Sequence, residues 1–426
     1  MTRSLFIFPI LLSLHAGASA EEAATRPTPA ETKIALAEKV LAARPDEIRG
    51  YSPLAFALAA RARETSDPKY YTLANEVVSK GLKLEPNNFD VLKAELWLLL
   101  GDHEFQKALE KARVLNKRSG DDTMVQAMLA DAAIETGHYD EAEKATQWAL
   151  DMDPGASTGL TRAAYLREHF GDFDGALELM QQAFNRTIDR ETEDRAWLLT
   201  HIGHLHLLRN QPDDAAKAHE EALRIFPNYH YALRNLSAVR TAQGNHAAAL
   251  ELQRKHYAAS PHPENLYELA RALRRAGENP EADKAFAEFE KAALAESENA
   301  DNSNRELVYY FANEAKKPAE ALRIAESEMA RRQDFRTRQA YAWALHANGQ
   351  TEKAYDEIKK ALKIGAKYPD LQYYAGIIAR SAGDKEAARA FFMASLAQAP
   401  KSEVSAAATV ALNSLDTPRP PQNVQE

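Results

Sequence analysis

The sequence predicts an all-α, right-handed solenoid of about ten helix–turn–helix units with flanking helices at both ends. Three observations carry this reading. A short cassette repeats along most of the chain at a nearly fixed interval. Apolar residues recur at helical spacing, as at Ile34, Ala37 and Leu41, while strand-type alternation is scarce. Gly 17 and Pro 19 are few for 426 residues, which disfavours an all-β chain built on many tight turns.

The cassette is a glycine, a polar pair, an aromatic or polar residue, and an alanine. It reads GHYDEA at Gly137–Ala142, GDFDGA at Gly171–Ala176, GNHAAA at Gly244–Ala249, GENPEA at Gly277–Ala282, GQTEKA at Gly349–Ala354 and GDKEAA at Gly383–Ala388. With degenerate copies, the alanines fall at Ala74, Ala108, Ala142, Ala176, Ala215, Ala249, Ala282, Ala321, Ala354 and Ala388. The steps are 34, 34, 34, 39, 34, 33, 39, 33 and 34 residues. Glycine supplies a left-handed cap at the end of the first helix. Alanine near the start of the second lets two helices approach closely. Pro86, Pro154, Pro227, Pro261 and Pro400 each lie 12 residues past an alanine, where the second helix must stop.

Taken in order, residues 1–20 read as a secretory signal: Arg3, an apolar run Leu5–Leu14, and the A-x-A site Ala18-Ser19-Ala20. The run is too short to span a bilayer. Residues 21–30 form a flexible leader and 31–54 N-terminal flanking helices. Two five-residue insertions, around Asn185–Asp194 and Glu296–Asn304, divide the array into four repeats (55–188), three (196–295) and three (302–400). As polar breaks in a nearest-neighbour stack they are expected hinges in an elongated array. Residues 402–415 form a capping helix with Val404, Ala407, Ala408, Ala411 and Leu415 on its apolar stripe, and 416–426 a Pro-rich disordered tail.

These residues resemble the tetratricopeptide repeat, whose pattern is W-x2-L-G-x2-Y, then A-x3-F, then P. Leu199-x2-Ile202-Gly203-x2-His206 matches the first part by type, and Ala282-x3-Phe286 and Ala388-x3-Phe392 match the second. The opening Trp is mostly replaced by Leu. The resemblance covers roughly residues 50–400 and implies a concave surface lined by the first helix of each repeat. It also implies a non-enzymatic scaffold that binds a protein or peptide there, in an exported bacterial type serving the envelope. The carboxylate clamp of chaperone-binding relatives is not carried over: Asn235 suits one clamp position, but Thr200, His204, Glu264 and Glu268 do not.

Composition excludes several functions. No cysteine is present, which removes disulfides, thiolate metal sites and cysteine nucleophiles. A net charge of −9 without a long basic tract disfavours nucleic acid. No window after the signal is apolar enough for a membrane span. Gly155-Ala156-Ser157-Thr158-Gly159 fits the nucleophile-elbow pattern, but a helix precedes it where a strand is required, so Ser157 or Thr158 reads as a helix cap. No cofactor is expected.

Three groups remain as binding candidates. Arg271, Arg274 and Arg275 share one helix face, with Arg234 one repeat earlier; together they suit an acidic or carboxylate-bearing partner. Tyr165 and Trp343 are the aromatic anchors expected in the groove, while Trp97, Tyr267, Tyr310 and Tyr373 read as core. His204 lines the groove beside His201; without a third ligand or an HExxH the pair is a poor metal site, so no metal residues are assigned. The expected protein is a periplasmic or secreted scaffold. The alternative is a carrier of an anionic envelope glycan or a metal ligand in the His- and Arg-lined groove.

Overall fold

The computed structural model describes residues 27–398 and 404–415. The expected cleavage after Ala20, Pro400 and the tail from 416 lie outside the described residues. Helix α1, Pro29–Ala43, is closed by a full capping box in which the Thr28 side chain accepts from Glu31 N and Glu31 answers Thr28 N. It therefore starts inside the expected leader. A 3-10 turn, Ile48–Gly50, leads into the first pair at Tyr51, ahead of the expected residue 55.

Ten antiparallel pairs follow. They are α2/α3 (Tyr51–Thr65, Lys69–Leu84), α4/α5 (Phe89–Gly101, Phe105–Arg118), α6/α7 (Thr123–Glu135, Tyr139–Met152) and α8/α9 (Ser157–His169, Phe173–Arg186). Next come α10/α11 (Thr192–Leu208, Pro212–Ile225), α12/α13 (His230–Ala242, His246–Ala259) and α14/α15 (Pro263–Arg275, Asn279–Glu296). The last are α16/α17 (Asn304–Tyr309, Pro318–Arg331), α18/α19 (Phe335–Ala347, Thr351–Leu362) and α20/α21 (Pro369–Ser381, Lys385–Gln398), then α22 (Ser405–Asn413). No strand occurs among the described residues. All ten cassette alanines are buried, at 0–2% exposure, as close packing of the two helices of a pair requires. Buried side chains from Leu160 to Ile378 form one continuous core. Ala408 and Ala411 in α22 and Leu415 just after it are buried, while Ala407 faces solvent.

The cassette glycines adopt positive φ, from +77° to +88°. Degenerate copies place Ser66, His103, Asn210 and Lys316 at the same turn, also with positive φ, so tertiary packing imposes the left-handed cap even where glycine is absent.

The array is not a loose spiral with contacts only between neighbours. The turn within pair n touches the loop that precedes pair n+6. Ser66 Oγ meets Ser260 Oγ at 2.8 Å, and His262 Nε2 donates to the Ser66 carbonyl at 2.8 Å. His103 pairs with Asp301 at 2.9 Å, and Arg332 with Glu135 at 2.6 Å. The Phe335 amide donates to Tyr139 Oη at 3.0 Å, and Tyr368 Oη to Glu168 Oε1 at 2.6 Å. Successive superhelical turns are thereby sewn along a seam. Both insertions lie on it. Glu191 pairs with Lys33, Glu193 and Asp194 with Arg63, and Asp301 with His103. The insertions lengthen α10 to 17 residues and α15 to 18, against 13 or 14 in most helices. The expected hinges are thus tethered segments, because a closed superhelix adds long-range partners to the nearest-neighbour stack.

The seam separates two kinds of glycine. A Cβ at Gly137 would lie 2.8 Å from the Gln333 carbonyl oxygen, and one at Gly171 2.8 Å from that of Gly365. At Gly244 a Cβ meets nothing within 4 Å. Gly244→Ala should therefore cost only the left-handed penalty of about 1 kcal/mol. Gly137→Ala should cost more in urea unfolding and should also enlarge the radius of gyration in X-ray scattering as the seam parts. Equal costs with unchanged radii would mean that Gly137 serves its turn alone.

Candidate functional site: the lumen of the superhelix

The first helices of pairs four to ten line the inside of the superhelix and enclose a cavity of ≈ 940 Å³. A ≈ 710 Å³ chamber adjoins it through the shared residues Tyr165, His169 and Trp197. A ≈ 570 Å³ chamber adjoins it through His204, Arg234, Asn235, Glu268, Arg305 and Glu306. These shared residues place the three side by side along the lumen. The eighth pair contributes through a local irregularity: α16 passes into a π turn, Tyr310–Glu314, and this short stretch carries Tyr309, Asn313 and Glu314 to the wall. Single π turns inside helices occur often at functional sites.

Of the sequence candidates, Tyr165, His204, Arg234 and Arg271 line the main cavity, and Arg275 lines the ≈ 570 Å³ chamber. Arg234 makes no hydrogen bond or ion pair among the described residues. Arg271 is held by Glu268 at 3.1 Å and lies over the Tyr267 ring. Arg274 lines none of the three chambers: it bonds Asp283 at 2.6 Å and Asn279 at 3.1 Å, bracing the turn of its own pair. Trp343 is likewise off the wall, donating to Asn313 Oδ1 at 2.9 Å and packing on Tyr374 and His346. Tyr267, read from sequence as core, is buried yet contributes to the wall.

The histidines go to separate partners. His201 Nδ1 sits 3.1 Å from the Trp197 carbonyl, which fixes its proton there. Its Nε2 then accepts from the Tyr165 hydroxyl. Burial pushes His201 down to about 4, so it stays neutral near pH 7. His204 Nε2 contacts Glu168 Oε1 at 3.2 Å, and His206 Nδ1 contacts Gln211 Oε1 at 2.8 Å. No group of three metal-ligating side chains converges among the described residues.

Sequence reasoning missed the acidic half of the wall. Glu168 is 4% exposed and accepts from both His204 and Tyr368. Burial alone would raise its carboxyl, but His204 and His169 nearby and these hydrogen bonds hold it far below the usual carboxylate range. Arg305 and Arg336 were missed too. Arg305 joins Arg234 where the two chambers meet and has no hydrogen bond or ion pair among the described residues. Arg336 stacks 4.2 Å from the Tyr368 ring centroid. Ser157 is the first residue of α8, with Ala156 as N-cap and no side-chain cap, so the expected Ser157 or Thr158 cap is not made. No strand leads into it.

Tetratricopeptide-repeat family models match residues 156–228 and 202–262, the stretch that supplies one side of the lumen. The chain is a tetratricopeptide-repeat protein. The matched stretch spans pairs four to six, and the same helix-pair geometry continues through the other pairs of this repeat protein. Among solved structures, PilW, a widely conserved type IV pilus biogenesis factor, is 12% identical over 48% of this chain and 92% of its own, with a TM-score of 0.40. Yeast Tom70 is 13% identical over 91% and 95%, TM-score 0.41. Human IFIT1, as a dimer with PPP-AAAA, is 12% identical over 89% and 96%, TM-score 0.49. No curated protein matches the repeat protein in sequence. No helix among the described residues is long and apolar enough to cross a membrane.

Proposed function

We propose that this tetratricopeptide-repeat protein is a non-enzymatic scaffold of the cell envelope that holds a peptide or protein partner inside its lumen. The observation that carries this reading is the lumen wall itself. Tyr165, Trp197, Tyr231, Tyr309 and Tyr374 present large, rigid contact surfaces along it. Where two chambers meet, Arg234 and Arg305 make no hydrogen bond or ion pair among the described residues, and guanidinium pairs of this kind suit a carboxylate or another anionic group of the partner. Export rests on the apolar run Leu5–Leu14 and the A-x-A site, with Glu21 as the mature N-terminus.

One experiment in intact cells tests both parts. A photo-crosslinking amino acid is placed at Tyr231 in the lumen or at Val114 on the outer surface, which is 58% exposed. The partner should be captured from position 231, and the crosslinked chain should be recovered from the envelope fraction beginning at Glu21. The double change Arg234→Ser/Arg305→Ser should weaken capture at least about tenfold with an unchanged melting temperature. Capture only from position 114, or by a chain that retains Met1, would overturn the corresponding part.

A further inference from the structure

The unmet hydrogen-bonding groups of the lumen ask for a donor. Glu168 Oε2, His169 Nδ1 and Gln339 Oε1 have no hydrogen-bond partner among the described residues. All three residues line the ≈ 940 Å³ cavity. Glu168 is 4% exposed and Gln339 2% exposed, so bulk water does not reach them freely. Their neighbouring atoms are already committed. Glu168 Oε1 takes His204 and Tyr368, and Gln339 Nε2 donates to Tyr309 Oη and Asp370 Oδ2, each at 3.1 Å. A carboxylate oxygen and an amide oxygen only accept, and a buried acceptor left unpaired is costly. Burial keeps His169 neutral near pH 7, so one of its ring nitrogens is an acceptor as well.

Charge and shape agree. The carboxylates on this wall are Glu168, Glu268, Glu306, Glu314 and Asp370, against the guanidiniums of Arg234, Arg271, Arg305 and Arg336. Acid is in excess by one. Glu268 is paired with Arg271, and Arg336, stacked on Tyr368, divides its charge among Asp370, Glu168 and Asp334. Tyr165 and Trp197, with ring centroids 6.1 Å apart, add aromatic faces that attract a cation. Glu168 and His169 come from α8, and Gln339 comes from α18 in the next superhelical turn. The site is therefore assembled only when the seam is closed.

We propose that the main cavity is a subsite for a basic side chain of the partner, a lysine ammonium or arginine guanidinium, held by Glu168, Gln339 and His169 beside Tyr165 and Trp197. This rests on the reading that the partner presents a peptide to the lumen. It adds that the peptide carries a cation at this point, besides the acidic group that faces Arg234 and Arg305.

The test uses blocked tripeptides Ala-X-Ala, with X as Lys, Arg, Gln or Glu, and the whole protein labelled with 5-fluorotryptophan. Of the four tryptophans, the Trp197 fluorine resonance is assigned by Trp197→Phe. The Lys and Arg peptides should shift it saturably at millimolar concentration, while the Gln and Glu peptides leave it in place. Glu168→Gln should weaken the Lys and Arg response at least tenfold, and Tyr368→Phe, which keeps the carboxylate, should retain it. An equal response to the Gln peptide, or none to Lys and Arg, overturns the subsite in the unmodified protein whether or not any variant folds. Arg234→Ser/Arg305→Ser should leave the Lys response intact. Absence of partner crosslinking in the unmodified protein, with its Lys response preserved, would count against the proposed scaffold function and not against the cation site.

Discussion

Acidification from pH 7 to pH 5 is expected to cost the fold on the order of 5 kcal/mol, enough to melt the central repeats. Four histidines in α10–α13 are buried and neutral. Burial pushes His201 and His230 down to about 4, and His219 and His256 down to about 3, from an ordinary 6.5. A histidine depressed in the folded state binds its proton first in the unfolded chain. Stability is therefore complete above about pH 6.5 and falls as pH drops toward the folded value, at about 1.4 kcal/mol per unit for each group. Over this window each contributes a loss of about 2 kcal/mol. Glu193 and Glu264, whose carboxyls burial pushes up, act in the opposite sense and reduce the net loss. Glu168, held low, loses its contribution only below the ordinary carboxylate range near pH 4.5. Urea unfolding at pH 7, 6 and 5 measures the slope. His219 is 0% exposed, and neither of its ring nitrogens has a partner among the described residues. His219→Leu should therefore remove about 2 kcal/mol of the loss over this window. A flat profile in the unmodified protein would show that these rings are not buried neutral groups.

Glu193→Leu is expected to destabilise the N-terminal pairs by about 3 kcal/mol. The Glu193 side chain is 5% exposed and accepts from Arg63 Nε at 2.9 Å and from Tyr229 Oη at 2.5 Å. The backbone carbonyl of Arg63 in turn accepts from His230 Nε2 at 3.0 Å. Removing the carboxylate leaves a partly buried guanidinium with Asp194 as its remaining partner, which places the cost at the lower end for a broken buried pair. Arg63→Leu/Glu193→Leu together should recover much of that loss, because no charge is then left uncompensated. Hydrogen exchange should show α2–α4 opening first in the single variant. A loss below about 0.5 kcal/mol, the scale of a surface change, would assign the pair to solvent and not to the seam.

Much of the fold was legible because a tetratricopeptide array repeats its own local rules. Ala142 and Ala176 each bury against the first helix of their own pair, and that need is written at a 34-residue period. His219 was legible in principle: with Ala215 and Ala222 it occupies one face at helical spacing, and its ring fills the space over Gly203, where a Cβ would lie 2.5 Å from it. A polar residue type concealed a core position. Arg274 and Trp343 misled for the opposite reason, since register on a first helix marks a groove face but not whether a neighbour such as Asp283 or Asn313 has already taken the side chain.

What the sequence determined by itself was therefore the helix pairs, their turns and their number, since these depend on residues fewer than 40 apart. What only the tertiary structure decided was the closure of the superhelix. Tyr139 meets the Phe335 amide and Glu168 meets Tyr368 across some 200 residues, and no periodicity links such partners. The small rotation from each pair to the next sums over six pairs into a closed turn, and that sum is fixed by the packing of every interface along the way. The lumen inherits this dependence. Glu168 and Gln339 line one cavity because two superhelical turns touch, and the acidic half of the wall exists only once they do.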